Sequence, residues 1–436
     1  MTCRAFSSGL RRLVLGGLAL LAAAGAHADV VFLVDTTADL IDDNVADGAC
    51  HTLAGTCSLR AAVMQANHRV GPGAAIISLP AGTYVLTRAP AGANGDDTGD
   101  LNVTAPLASG QSVSIVGARA ATTIIDANHF DRALAVEVGS EAHLSGVTIR
   151  NGRPPGSTFG GGIFNRGTLV ITDAVIRDNQ SAEGGGIDSS GTLTIARTSV
   201  RSNIAQYGGG LYVYGDTRIR DSTIAANIAS PGSGGGIFNA NELRIVNGTL
   251  TLNAADTDGG GIYNNYKAYL YSTSIIDNDA DHDRDENGGI GGGVRAEPSG
   301  GAQFVIVNTL LARNTLFDSP IYDDCSGTLE AFSWNLLAEA SGCTLNGPWG
   351  FVSPTTIGPL QDNGGPTMTQ ALLAGSEAID PPSGSSSCVD DEGEDMPTDQ
   401  RGAARVAGPR CDIGAFEFGS VVPGGDVIFR DGFNGP

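Results

Sequence analysis

The sequence predicts an all-β fold, a right-handed parallel β-helix: a solenoid of about eleven coils with an N-terminal helical cap and a small disulfide-linked C-terminal module. Three observations predict it. Glycine clusters recur at residues 160–162, 184–186, 208–210, 234–236, 259–261 and 291–293, with third glycines 24, 24, 26, 25 and 32 residues apart. Each period repeats one plan, a glycine turn, an aliphatic residue, a small polar corner, an alternating strand, then an aliphatic residue followed three places later by asparagine. Gly191-Thr192-Leu193-Thr194-Ile195 and then Val200-Arg201-Ser202-Asn203 show that plan. The cysteines beyond residue 28 fall into three sequence-local couples.

The first 28 residues read as an export signal. Arg4, Arg11 and Arg12 form a basic head, Leu13 to Ala24 an apolar run, and Ala26-His27-Ala28 a small-x-small cleavage site. The apolar run is short of the ~20 residues that a spanning helix needs, and no later stretch suffices. The mature chain is therefore expected to begin near Asp29, with no transmembrane segment after cleavage.

Residues 29–74 form the expected cap. Leu59, Ala62, Val63 and Ala66 share one face of a helix starting near Cys57, so that helix can lie across the first coil and cover its apolar end.

Residues 75–345 form the expected solenoid. The period is too short for a βαβ unit, and no helix runs through three consecutive glycines. Three short strands per coil fit instead. At about 4.8 Å per coil the stack makes a rod of about 50 Å in which aliphatic residues form interior columns. The glycines supply positive φ and close approach between coils. Asn179, Asn203, Asn227, Asn253, Asn278 and Asn314 occupy equivalent places, where each is expected in a left-handed corner with its amide bonded to the next coil's asparagine.

Residues 346–418 form the C-terminal segment and 419–436 a linker and tail. The expected disulfides are local, Cys50 with Cys57, Cys325 with Cys343 and Cys388 with Cys411, although six cysteines permit fifteen connectivities. Zinc is the alternative, but the CxxC or HxxxH spacing that gathers ligands is missing. The formal charge of −22 becomes −25 once the three signal arginines are removed, which argues against nucleic acid and anionic membranes as partners.

Two segments carry a family resemblance. Asp35 through Cys57-Ser58-Leu59-Arg60 to Ala66-Asn67 resembles the CSLREA segment of secreted bacterial β-helix proteins, with Ala61 where that motif has glutamate. Gly358-Pro359-Leu360-Gln361-Asp362-Asn363-Gly364-Gly365-Pro366-Thr367 through Ala378-Ile379-Asp380, with Asp399-Gln400-Arg401-Gly402 and Cys411-Asp412-Ile413-Gly414-Ala415-Phe416-Glu417, resembles the choice-of-anchor Q segment. The resemblance implies a cell-surface or extracellular β-helix, often without assigned activity. The glycine-asparagine repeats are also similar to those of polymorphic outer-membrane proteins, but the residues after the solenoid show no series of ~10-residue alternating barrel strands.

Candidate chemistry is sparse. Asp283, Asp285 and Asn287, with Gly288 and Ile290, match the opening of a calcium loop, though Val294 stands where the loop's closing glutamate belongs; a solvated acidic loop is the alternative. Asp173, Asp188, Asp216 and Asp221 lie near strands but do not recur as the facing acids of a glycosidase or lyase. Arg177, Arg201 and Arg220 fall near equivalent corners and form either a stripe for acidic sugars or a solubilising face. Phe164, Tyr212, Tyr214, Phe238 and Tyr263 follow the glycine clusters and either stack on sugars or face the core. Nucleophile triads and phosphate loops have no support. These features predict an exported, non-enzymatic protein that presents a repetitive flank for adhesion or for glycan or surface contact, with calcium its one candidate cofactor. The alternative is a polysaccharide lyase or glycoside hydrolase acting on acidic polysaccharide.

Overall fold

The computed structural model describes residues 29–91, 95–105, 110–156, 159–284, 288–297, 301–317, 322–381 and 388–423. The expected signal and most of the tail lie outside them.

The chain forms a right-handed parallel β-helix, in which strands of successive coils pair in parallel. One coil shows the design. After the glycine turn, Ile187–Ser189 enters a glycine-side sheet, Thr192–Ala196 a long sheet and Ser199–Arg201 an asparagine-side sheet; Ile204–Ala205 then leads to the next glycine turn. Eleven described strands stack in the asparagine-side sheet, from Gly82–Val85 to Trp349–Phe351. The long sheet starts earlier, because Val30–Leu33 pairs with Ala75, Ile76, Ile77 and Ser78.

Alternation along each strand decides which residues form the core. In the long sheet Ile171, Ile195, Ile219, Ile245, Leu270 and Ile306 stand in register and are buried. Their neighbours point to solvent, as a half-buried parallel strand requires. The glycines act as expected. Gly184 has φ +60°, and a Cβ on Gly185 would lie 2.4 Å from the Gly209 carbonyl oxygen of the next coil. Neither a left-handed bend nor that approach suits a side chain.

The asparagine ladder is continuous over six coils. Each Nδ2 donates to the next Oδ1, from Asn179 to Asn203, Asn227, Asn253, Asn278 and Asn314, at 2.8–3.0 Å. Asn314 ends the run on Asp324 Oδ1 at 2.8 Å. Burial pushes Asp324 up to about 6, opposed by the amide and backbone donors around it. The expected backbone position needs correction. The left-handed residue is the one before each asparagine, namely Asp178, Ser202, Ala226, Leu252, Asp277 and Arg313. That bend turns the following side chain inward, where its amide replaces backbone partners lost at the corner.

The helix Leu59–His68 covers the N-terminal end, with Leu59, Ala62, Val63 and Ala66 in the solenoid's core. Ser58 caps it by accepting from the Ala61 N–H at 3.0 Å. The adjacent Arg60 is fully buried and pairs with Asp39 at 2.6 Å while donating to the Gly99 carbonyl at 2.7 Å. Disulfides join Cys50 to Cys57, Cys325 to Cys343 and Cys388 to Cys411.

The C-terminal segment is not a separate body. It lies along the outside of the asparagine-side sheet, where Val352, Ile357, Leu372, Ile413 and Phe416 pack on Ile276, Leu310, Ala312 and Leu336. Gln400 bridges Thr223 and Thr249 there. One outward column records this docking in its residue types. Arg150, Arg177 and Arg201 give way to Ala225, Thr251, Ile276 and Ala312 as the segment takes the place of water.

Candidate ligand-binding flank

The glycine-side sheet carries a continuous run of aromatic residues, and the turn explains part of its arrangement. The three glycines fold the chain so that the residue before each cluster lies beside the second residue after it. Phe159 and Phe164 show this directly, their rings stacked at 5.8 Å. Along the rod the outer positions form two columns. Phe159, Glu183 and Tyr207 make one. Phe164, Asp188, Tyr212, Phe238, Tyr263 and Arg295 make the other.

In that second column Tyr212, Phe238 and Tyr263 stack at 4.7 and 4.8 Å with interplanar angles of 9° and 21°. The spacing is that of the strands themselves. Leu211, Ile237 and Ile262, immediately before these rings, lie in the core, so by alternation the aromatics line the outside of the sheet. Tyr214, two residues beyond Tyr212, is 51 % exposed and accepts a hydrogen bond from the Tyr212 hydroxyl at 2.9 Å.

Asp188 interrupts the aromatic column. Its side chain is 2 % exposed, and its Oδ2 has no hydrogen-bond partner. Burial and the neighbouring Glu183 charge push Asp188 up to about 8, with Arg132 opposing. Burial raises Glu183 as well. Arg132 lies over the Phe164 ring at 5.3 Å and is paired with Asp100 at 3.5 Å and Asp131 at 3.9 Å.

Beside this strip runs an open polar groove of about 420 Å³, crossing successive coils at the corner between the glycine-side and long sheets. Arg166, Thr168, Thr192, Tyr214, Asp216 and Asn241 line it. Hydroxyl, amide and guanidinium groups beside an exposed ring suit a ligand that is polar at its edges and apolar on its faces.

The other sequence candidates are dispersed. Arg177 and Arg201 share a column, but Arg220 lies in the long sheet opposite Ala196. Arg177 pairs with Asp178, and Arg220 with Asp390 of the C-terminal segment. Arg150, Arg177 and Arg201 therefore stand in one column, and Arg220 is not part of it. Asp173 pairs with Arg197 at 2.7 Å, and Asp221 accepts from Asn247 at 3.1 Å. Asp283 belongs to the described chain, while Asp285 and Asn287 lie outside the described residues.

Sequence reasoning missed two groupings. Asp43, Asp47 and His51 gather ligand atoms within 4.8 Å of one another at the surface, but the imidazole is already bonded to Asp43 at 2.6 Å, and that bond chiefly raises its pKa. The second is the Glu183–Asp188 pair. Its signal is present in the sequence, because this glycine cluster alone among the six has an acid both before it and two residues after it.

The fold is that of the parallel β-helix proteins. A solved structure with the same architecture is described as pectate lyase Pel9A; the match has a TM-score of 0.51 and 14 % identity, covering 89 % of this chain and 96 % of that one. At that identity the likeness shows the fold. No family model and no curated protein matches the chain. Among the described residues no helix is long and apolar enough to cross a membrane.

Proposed function

We propose that this is an exported β-helix that binds glycan chains along its glycine-side flank. The observation that carries the reading is the groove of about 420 Å³ with Tyr214 exposed in its wall, running beside a stacked aromatic column. A polymer with a regular repeat can meet the same wall in coil after coil, as extended ligands do on solenoids. The basic head, apolar run and small-x-small site support export, and three disulfides fit an oxidising compartment. Tyr214→Ala is expected to weaken glycan binding by about tenfold, the size of a lost ring contact of ~1.4 kcal/mol, with melting unchanged. Glycan arrays read on both proteins test this, and equal binding would count against the groove.

A cleaving activity is the second reading. The Glu183–Asp188 pair favours it, as does the pectate lyase named as the structural neighbour. It requires release of reducing or unsaturated sugars from a polysaccharide panel; a panel without product eliminates it.

Calcium at Asp283, Asp285 and Asn287 forms part of the proposal. Asp283→Ala is expected to lower the melting temperature in calcium and to have no effect in chelator. Identical melting of the unaltered protein in calcium and in chelator would remove the site.

A further inference from the structure

We infer that Glu183 and Asp188 form the subsite for an amine-bearing sugar, whose ammonium group is held by the Asp188 carboxylate beside the Tyr212 ring; this rests on the glycan-binding reading above. Asp188 occupies a ring position in the outward column, between Phe164 and Tyr212. Its Oδ2 is buried without a donor. An unpartnered acceptor in that setting is costly, and a ligand that brings the donor removes the cost.

The surroundings specify the donor's charge. Glu183 stands beside Asp188, so two carboxyl groups face one place, and burial with mutual repulsion keeps a proton on the pair in the free protein. A cation relieves that repulsion, whereas a uronate carboxylate would add to it. Arg132 is the neighbouring protein cation, but it is engaged by Asp100 and Asp131 and lies over Phe164. The class of cation follows from the walls. Calcium takes six to eight oxygen ligands, while this position offers two carboxyl groups flanked by aromatic rings. Aromatic faces with a carboxylate suit an organic ammonium.

Titration calorimetry of the full chain at pH 7 with oligomers of glucosamine, N-acetylglucosamine and galacturonate tests the subsite. Glucosamine oligomers are expected to bind about tenfold or more tightly than the N-acetylated ones, and galacturonate weakest. Asp188→Asn and Glu183→Gln should each reduce that preference to about threefold or less. Binding of the amine should also release a proton from Asp188, read as a dependence of the heat on the buffer's ionisation enthalpy. The titratable and charged groups facing Asp188 are Glu183, Arg132, Tyr212 and Tyr214. Equal affinity for the amine and N-acetyl oligomers, or tighter galacturonate binding, overturns the subsite and leaves the glycan reading standing. An unchanged preference in Asp188→Asn overturns its placement. Failure of all three oligomers to bind overturns both readings.

Discussion

Replacing Asn227 by alanine is expected to cost about 3–5 kcal/mol of stability, among the largest single-residue losses in the molecule. Asn227 is fully buried and accepts from both the backbone N–H and the Nδ2 of Asn203, each at 3.0 Å. It donates to the Val200 carbonyl at 3.0 Å and to Asn253 Oδ1 at 2.9 Å. Alanine fills less space and leaves two donors and a carbonyl in the interior without partners. Each such group costs about 1–3 kcal/mol when water cannot reach it. Denaturant unfolding measures the difference, and a loss below about 1 kcal/mol would mean that the ladder holds nothing together.

The second large effect runs the other way. Asp188→Asn is expected to stabilise the protein at neutral and alkaline pH. The carboxyl is held at about 8 in the fold by burial first and Glu183 second, against an ordinary value of 3.8. Well below 3.8 the group is protonated folded or unfolded, and it contributes no pH dependence. As pH rises from about 4 to 8 the unfolded chain ionises while the folded one does not, so stability falls by about 1.4 kcal/mol per unit and levels off above 8. Asparagine abolishes that slope, giving a gain of several kcal/mol at pH 9 and little at pH 4. Melting curves across this range read it directly; parallel curves for the two proteins would show that Asp188 does not carry the buried proton. The same substitution provides a well-folded variant for ligand titration.

The repeat made the solenoid legible because parallel stacking imposes the same environment on equivalent positions. Leu193 and Ile195 alternate as their equivalents do, and the columns they predict are present. The asparagine ladder was legible for the same reason, since one side chain must satisfy the same corner in every coil. The left-handed residue was not. Asp178, Ser202, Ala226, Leu252, Asp277 and Arg313 have no side-chain type in common, because the corner constrains only their backbone.

The site was harder to read because its key proximity depends on the turn. Glu183 and Asp188 are five residues apart, a spacing with no meaning on a straight strand, and become neighbours only because Gly184 reverses the chain at φ +60°. Of the three expected arginines, Arg177 and Arg201 share a column and Arg220 does not. Arg220 lies in a different sheet from Arg201, and an ion pair with Asp390, 170 residues away, holds it. Docking of the C-terminal segment left its mark as the change from Arg201 to Ile276 down one column, which reads as drift until the sheet is assembled.

Hydrogen exchange with and without a saturating glucosamine oligomer tests the central claim most directly. Slowed exchange is expected at residues 159–216 of the glycine-side flank and its groove, with residues 388–417 unchanged. Slowing confined to the C-terminal segment, or to the asparagine-side face it covers, would contradict the assignment of the ligand to the glycine-side flank.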